Sequence, residues 1–242
     1  TAAYAEAFFA YPEIVGRPDR LHDLVGAIRD TRHIAVPFLV QAGIDRLPVL
    51  DDLVGFTGPS FGGWTALIAP RLDARIKATV PQCPAGGNMY VDGTKQDLGP
   101  IDHGVPTLML VGSRDSLLPL FGQFEIYHDL QRGQRRMIVL LGGDHVHFGD
   151  DIASSHEWMA DFLGQIAQVW PSTDWDIPSR LVRPFGELAP AAPTNDLWRM
   201  VILGHFDAVL KQDPDAVAFM ADERLNDNLE RATGLSLVTV ND

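Results

Sequence analysis

A serine flanked by glycines, an aspartate and a histidine, in that chain order, could together attack a carboxylic acyl group. The serine is Ser60, in Leu53-Val-Gly-Phe-Thr-Gly-Pro-Ser60-Phe-Gly-Gly-Trp64, where an apolar run meets a Gly58-x-Ser60-x-Gly62 core and a helix-compatible stretch follows. Strand, sharp turn with serine, then helix is the order of a nucleophile elbow. A turn this tight strains the serine backbone, and small residues two before and two after let strand and helix pass closely. The same turn aims the Phe61 backbone N–H at the place where an acyl oxygen would become negative. The pentapeptide alone describes equally well a Gly-rich strand-to-helix turn capped by Ser60.

Two later loops supply what Ser60 lacks. Thr107–Val111 is followed by Gly112-Ser-Arg-Asp115-Ser-Leu-Leu-Pro119, and Met137–Leu141 by Gly142-Gly-Asp-His145-Val-His147-Phe-Gly-Asp-Asp151. A neutral serine is a poor nucleophile, so a histidine must take its proton during attack. His145, directly after the Gly-Gly turn, is the preferred base, and His147, of the same parity, is the alternative. Asp115 would fix the imidazole tautomer and stabilise the imidazolium, or else simply form a turn. Clustered Asp144, His145, His147, Asp150, Asp151 and His156 also invite a metal reading through H-x-H, but the spacing completes no familiar site and leaves the elbow unexplained. No metal and no cofactor is expected.

These groups need a scaffold that presents loops at one edge of a sheet. Short apolar runs at Leu53–Thr57, Ile76–Val80, Thr107–Val111 and Met137–Leu141 alternate with helical patterns at Arg17–Arg29, Phe121–Leu130 and Ile152–Trp170. Runs of this kind read as strands buried on both faces of a parallel sheet, with helices on either side. Catalytic groups then collect past the carboxyl ends of strands. Residues 1–170 are the expected catalytic core. Residues 171–194, rich in proline, are the expected surface connection, and residues 195–242 a helical extension packed on the core.

Composition narrows the partners. The 242 residues are 46% hydrophobic, enough for one large core, and the net charge of −13 disfavours nucleic acid and anionic membrane surfaces. No apolar run reaches the roughly 18 residues of a membrane span. Cys83, the one cysteine, excludes an internal disulfide and mildly favours a reducing compartment such as the cytoplasm.

Gly58-Pro-Ser60-Phe-Gly-Gly63, Gly112-x-x-Asp115 and Gly142-Gly-Asp-His145-x-x-Phe148-x-Asp150 resemble the α/β-hydrolase superfamily, more narrowly its dienelactone-hydrolase-like and platelet-activating-factor-acetylhydrolase-like branch. Leu203-Gly-His-Phe-Asp-Ala-Val-Leu210 is similar to the tail helix of bacterial members described as predicted dienelactone hydrolases. The resemblance implies a mostly parallel sheet of eight strands and cofactor-free ester hydrolysis through an acyl-serine. It departs at three places. The elbow carries serine where dienelactone hydrolases carry cysteine. The loop after the next strand, Val80-Pro-Gln-Cys83-Pro, has no carboxylate where the acetylhydrolases place their acid, so that role passes to Asp115. Cys83 then lines the pocket or is a small buried residue at a strand end. Finally, the family has about four further strands upstream, one of whose loops gives the second oxyanion donor. The chain is therefore expected to be the C-terminal piece of a longer polypeptide whose N-terminal strands lie on a companion chain or were cut off before Thr1.

The expected activity is a serine hydrolase for carboxylic esters, with Trp64, Leu117, Leu118, Phe61 and Phe148 lining an apolar pocket or packing the core. A non-catalytic binding or assembly subunit and an acyltransferase with the same triad are the alternatives.

Overall fold

The computed structural model describes residues 18–46, 53–85, 90–91, 94–95, 101–169 and 181–241. The expected processing point before Thr1 lies outside them, as does the first part of the Pro-rich connection. Helix α1 (Pro18–Arg46) precedes β1 (Val54–Pro59), α2 (Phe61–Leu72) and β2 (Ile76–Gln82). A two-stranded antiparallel ribbon, β3 (Tyr90–Val91) with β4 (Thr94–Lys95), follows. Then come β5 (Thr107–Gly112), α3 (Leu120–Asp129), β6 (Arg135–Leu140) and α4 (Ile152–Val169). The chain ends with α5 (Ala191–Phe206), α6 (Pro214–Ala221), α7 (Leu225–Thr233) and β7 (Leu237–Asn241).

The main sheet has the order β1-β2-β5-β6-β7; the first four strands are parallel and β7 runs antiparallel to β6. Side chains on a strand alternate faces, and both faces of this sheet are covered. Leu108, Leu110, Ile138 and Leu140 pack with Leu197, Trp198 and Val201 of α5 and Leu229 of α7. Their strand neighbours Met109, Val111, Met137 and Val139 pack with Leu67 of α2 and Ile126 and Tyr127 of α3. Continuous apolar runs were the right signal for the central strands β2, β5 and β6, which are buried along most of their length, whereas β1 is only half-buried.

The last third is more deeply integrated than an added layer of helices. Leu235 to Val240 supplies β7, whose register pairs Leu237 with Leu140 and Val240 with Met137. The Pro-rich stretch is not wholly a surface connection either. Leu188 and Ala189 are buried, and α5 begins at Ala191 with Thr194 Oγ1 donating to the Pro190 carbonyl at 2.8 Å. No helix among the described residues is long and apolar enough to cross a membrane.

Candidate active site

Ser60 occupies the single residue between β1 and α2, with φ 56° and ψ −120°. A non-glycine side chain adopts this backbone only where its surroundings enforce it, at a cost of about 1–3 kcal/mol. Three backbone hydrogen bonds do so. The Ser60 N–H donates to the Gln82 carbonyl at 3.0 Å, and the Ser60 carbonyl accepts from Trp64 and Ala85, both at 3.0 Å. Ser60 makes no side-chain cap to α2, so the helix-cap reading of the pentapeptide does not hold. Phe61 opens the helix, where an N–H has no intrahelical carbonyl to bind.

Steric room explains the glycines. A Cβ on Gly58 would lie 3.0 Å from the Gly62 carbonyl carbon, which is the close strand–helix passage expected of an elbow. The tighter constraint falls on Gly63, where a Cβ would meet the Gln82 carbonyl oxygen at 2.4 Å and Pro84 Cα at 2.9 Å. The second glycine after Phe61 thus holds α2 against the end of β2.

Asp115 and His145 follow the carboxyl ends of β5 and β6. These ends approach so closely that a Cβ on Gly112 would stand 2.3 Å from the Gly143 carbonyl oxygen. His145 Nδ1 is 3.0 Å from Asp115 Oδ2. Asp115 Oδ1 accepts from the N–H groups of Leu117 at 2.9 Å and Leu118 at 2.7 Å. The two readings of Asp115 are both realised: one oxygen forms the turn and the other orients the imidazole.

Asp144, considered in the sequence only within the metal reading, ties these loops together. Its Oδ1 accepts from the Ser116 N–H at 2.7 Å, the Ser116 hydroxyl at 2.8 Å and the His145 N–H at 2.6 Å. An acidic residue before the histidine could have been noticed as a cap, but nothing in the sequence told which loop it would grip. His147 serves the fold instead of the pair. Its Nδ1 accepts from the Asp144 N–H at 3.0 Å, and its Nε2 lies 2.9 Å from the Ala189 carbonyl. Burial lowers its pKa, in keeping with a neutral ring that donates from Nε2.

Cys83 is the residue whose place was least legible. Pro59 pairs with Gln82 in the β1–β2 register, and Ser60 and Cys83 are the next residue on each strand. Both have positive φ, 56° and 33°. The Cys83 N–H donates to the Leu110 carbonyl at 2.7 Å, and its thiol lies against the His145 ring and the Ser60 backbone N–H. Burial pushes the thiol pKa up, partly countered by His145. Burial is the largest single effect on His145 and opposes its charging, but the Asp115 carboxylate and the Cys83 sulfur together hold the imidazole well above its ordinary 6.5. Among the described residues Ser60 Oγ makes no hydrogen bond, so the group held against the His145 ring in this structure is the neighbouring thiol.

The expected pocket residues divide. Trp64, Leu118 and Phe148 are 1%, 6% and 8% exposed and belong to the core, with Phe148 stacked on Trp198 at 5.1 Å. Leu117 packs beside Val146 and Ile152, and Phe61 is half-buried beside Trp64. A cavity of about 380 Å³ lined by Arg136, Asp222 and Thr239 lies along the edge strand β7, and none of the expected pocket residues lines it. The H-x-H metal grouping does not assemble: His147 binds Ala189, and His156 Nε2 lies 2.9 Å from the Arg183 carbonyl. A different trio does, because Cys83, Asp115 and His145 present ligand atoms within 4.8 Å of one another.

The chain matches no protein-family model and no curated protein sequence.

Proposed function

We propose that this chain is a serine hydrolase of the α/β-hydrolase type that cleaves carboxylic esters through an acyl-serine. The observation that carries the reading is the conjunction of a strained, non-capping Ser60 with a buried Asp115–His145 pair on two later strand ends of the same sheet. A helix cap would relax toward ordinary backbone angles, and a purely structural aspartate would not need to spend its second oxygen on an imidazole.

In this reading the His145 ring exchanges its contact with the thiol for one with the Ser60 hydroxyl as substrate enters. Ser60 Oγ attacks the ester carbonyl while its proton passes to His145, and Asp115 stabilises the imidazolium. The tetrahedral oxyanion takes the Phe61 N–H. Collapse breaks the ester C–O bond, and the departing alcohol takes the proton from His145. Water, deprotonated by His145, then attacks the acyl-serine and releases the acid. Half-buried Phe61 and Leu117 favour an apolar group on the ester.

Turnover of a p-nitrophenyl ester series tests the proposal. Ser60→Ala should lower kcat/KM by about 10³-fold or more with the fold intact. Wild-type turnover no faster than that of the variant would overturn it.

A further inference from the structure

We infer that Cys83, His145 and Asp115 form a site for one thiophilic divalent cation of the zinc class, and that an ion held there switches off the base. The three residues come from three strand ends, β2, β5 and β6, and offer sulfur, nitrogen and oxygen within 4.8 Å of one another. Zinc holds thiolate sulfur at about 2.3 Å and imidazole nitrogen or carboxylate oxygen at about 2.0–2.2 Å, so the trio needs only a modest contraction. The donor set also selects the ion. A thiolate favours zinc, cobalt or cadmium over magnesium and calcium, which demand oxygen.

The surroundings suit a cation better than they suit a free thiol. Cys83 is fully buried and kept in place by the Leu110 carbonyl and a left-handed backbone. Its sulfur has been taken from water beside an imidazole already oriented by a carboxylate. Binding would release the thiol proton and the imidazolium proton to solvent and replace the Nδ1–Oδ2 hydrogen bond with S–metal, N–metal and O–metal bonds, with no change of oxidation state. Ser60 and Cys83 each follow the last β1–β2 register pair, Pro59↔Gln82, so the ion would lie at the same end of the sheet as Ser60. Once coordinated, the His145 lone pair can no longer take the Ser60 proton. That inhibitory consequence rests on the hydrolase reading; the binding does not.

Cobalt(II) titration of the reduced full chain tests the site directly. Because Cys83 is the only cysteine, any thiolate-to-cobalt charge-transfer band must come from it. The expected result is such a band saturating at about one ion per chain, abolished by added Zn²⁺, with at least tenfold weaker cobalt affinity in His145→Gln. Absence of the band in the wild type, or affinity unchanged in His145→Gln, would overturn the inference. The optical readout is independent of ester turnover. A band in a chain without activity would therefore remove the hydrolase reading and leave the site, and activity without a band would do the reverse.

Discussion

The imidazole of His145 and the carboxylate of Asp115 meet at 3.0 Å with side chains only 9% and 1% exposed, although thirty positions separate them in sequence. Two neighbouring strands bring them together: β5 and β6 pair in parallel from Thr107↔Arg135 to Gly112↔Leu140, so the loops that follow leave the sheet side by side. The second carboxylate oxygen is held by the Leu117 and Leu118 N–H groups, which leaves the imidazole one fixed partner.

This pair sets a pH dependence. The proposed hydrolysis needs the neutral ring, and the Asp115 carboxylate with the Cys83 sulfur holds the His145 pKa well above 6.5 against burial, the largest single effect. The acid limb of kcat/KM should therefore lie above pH 6.5. Asp115→Asn should move that limb to lower pH and cut the plateau by at least about tenfold, since the charge goes while the burial stays. The stability contribution of the pair follows the same sign. It is complete below about pH 6.5 and is lost as pH rises through the raised value, which urea titrations of wild type and His145→Gln would reveal.

The elbow glycine Gly63 is a packing constraint. Gly63→Ala would place a Cβ 2.4 Å from the Gln82 carbonyl oxygen, and neither that backbone nor Pro84 can withdraw without disturbing Ser60 and Cys83. A loss of about 2–3 kcal/mol is expected, together with reduced turnover. Gly104→Ala, where a Cβ meets nothing within 4 Å, should leave both unchanged. Thermal melts of the two variants provide the comparison.

His205 provides an acid-sensitive point remote from the site. It is buried, its Nε2 has no hydrogen-bond partner among the described residues, and burial lowers its pKa from 6.5 to about 4. A histidine with a depressed folded pKa costs stability as pH falls below its unfolded value, here between about 6.5 and 4. At about 1.4 kcal/mol per unit the penalty approaches 3 kcal/mol at the lower limit. His205→Gln should flatten the loss of stability over that interval, as measured by urea unfolding at pH 7, 5.5 and 4.

Strand positions and the order Ser60, Asp115, His145 were legible because they depend on local signals: continuous apolar runs, glycine punctuation and turn chemistry. Side-chain direction and long-range pairing were not. The Gly-Gly turn favours His145 over His147 without excluding the latter, and the difference lies in Ala189, a residue on a distant segment that occupies the His147 ring. Cys83 was placed at a strand end, but the β1–β2 register that seats it beside Ser60 is a tertiary property. Leu235 to Val240 lies within the stretch expected to be a helical extension; that it completes the sheet against β6 depends on where α5 to α7 return the chain.

The central claim is that Ser60, activated by His145, is the nucleophile. Reaction of the full chain with a fluorophosphonate, followed by intact mass and peptide mapping, tests it most directly. The account predicts one adduct on Ser60, absent in Ser60→Ala and at least about 10²-fold slower to form in His145→Gln. No adduct, or an adduct that persists in Ser60→Ala, would contradict it.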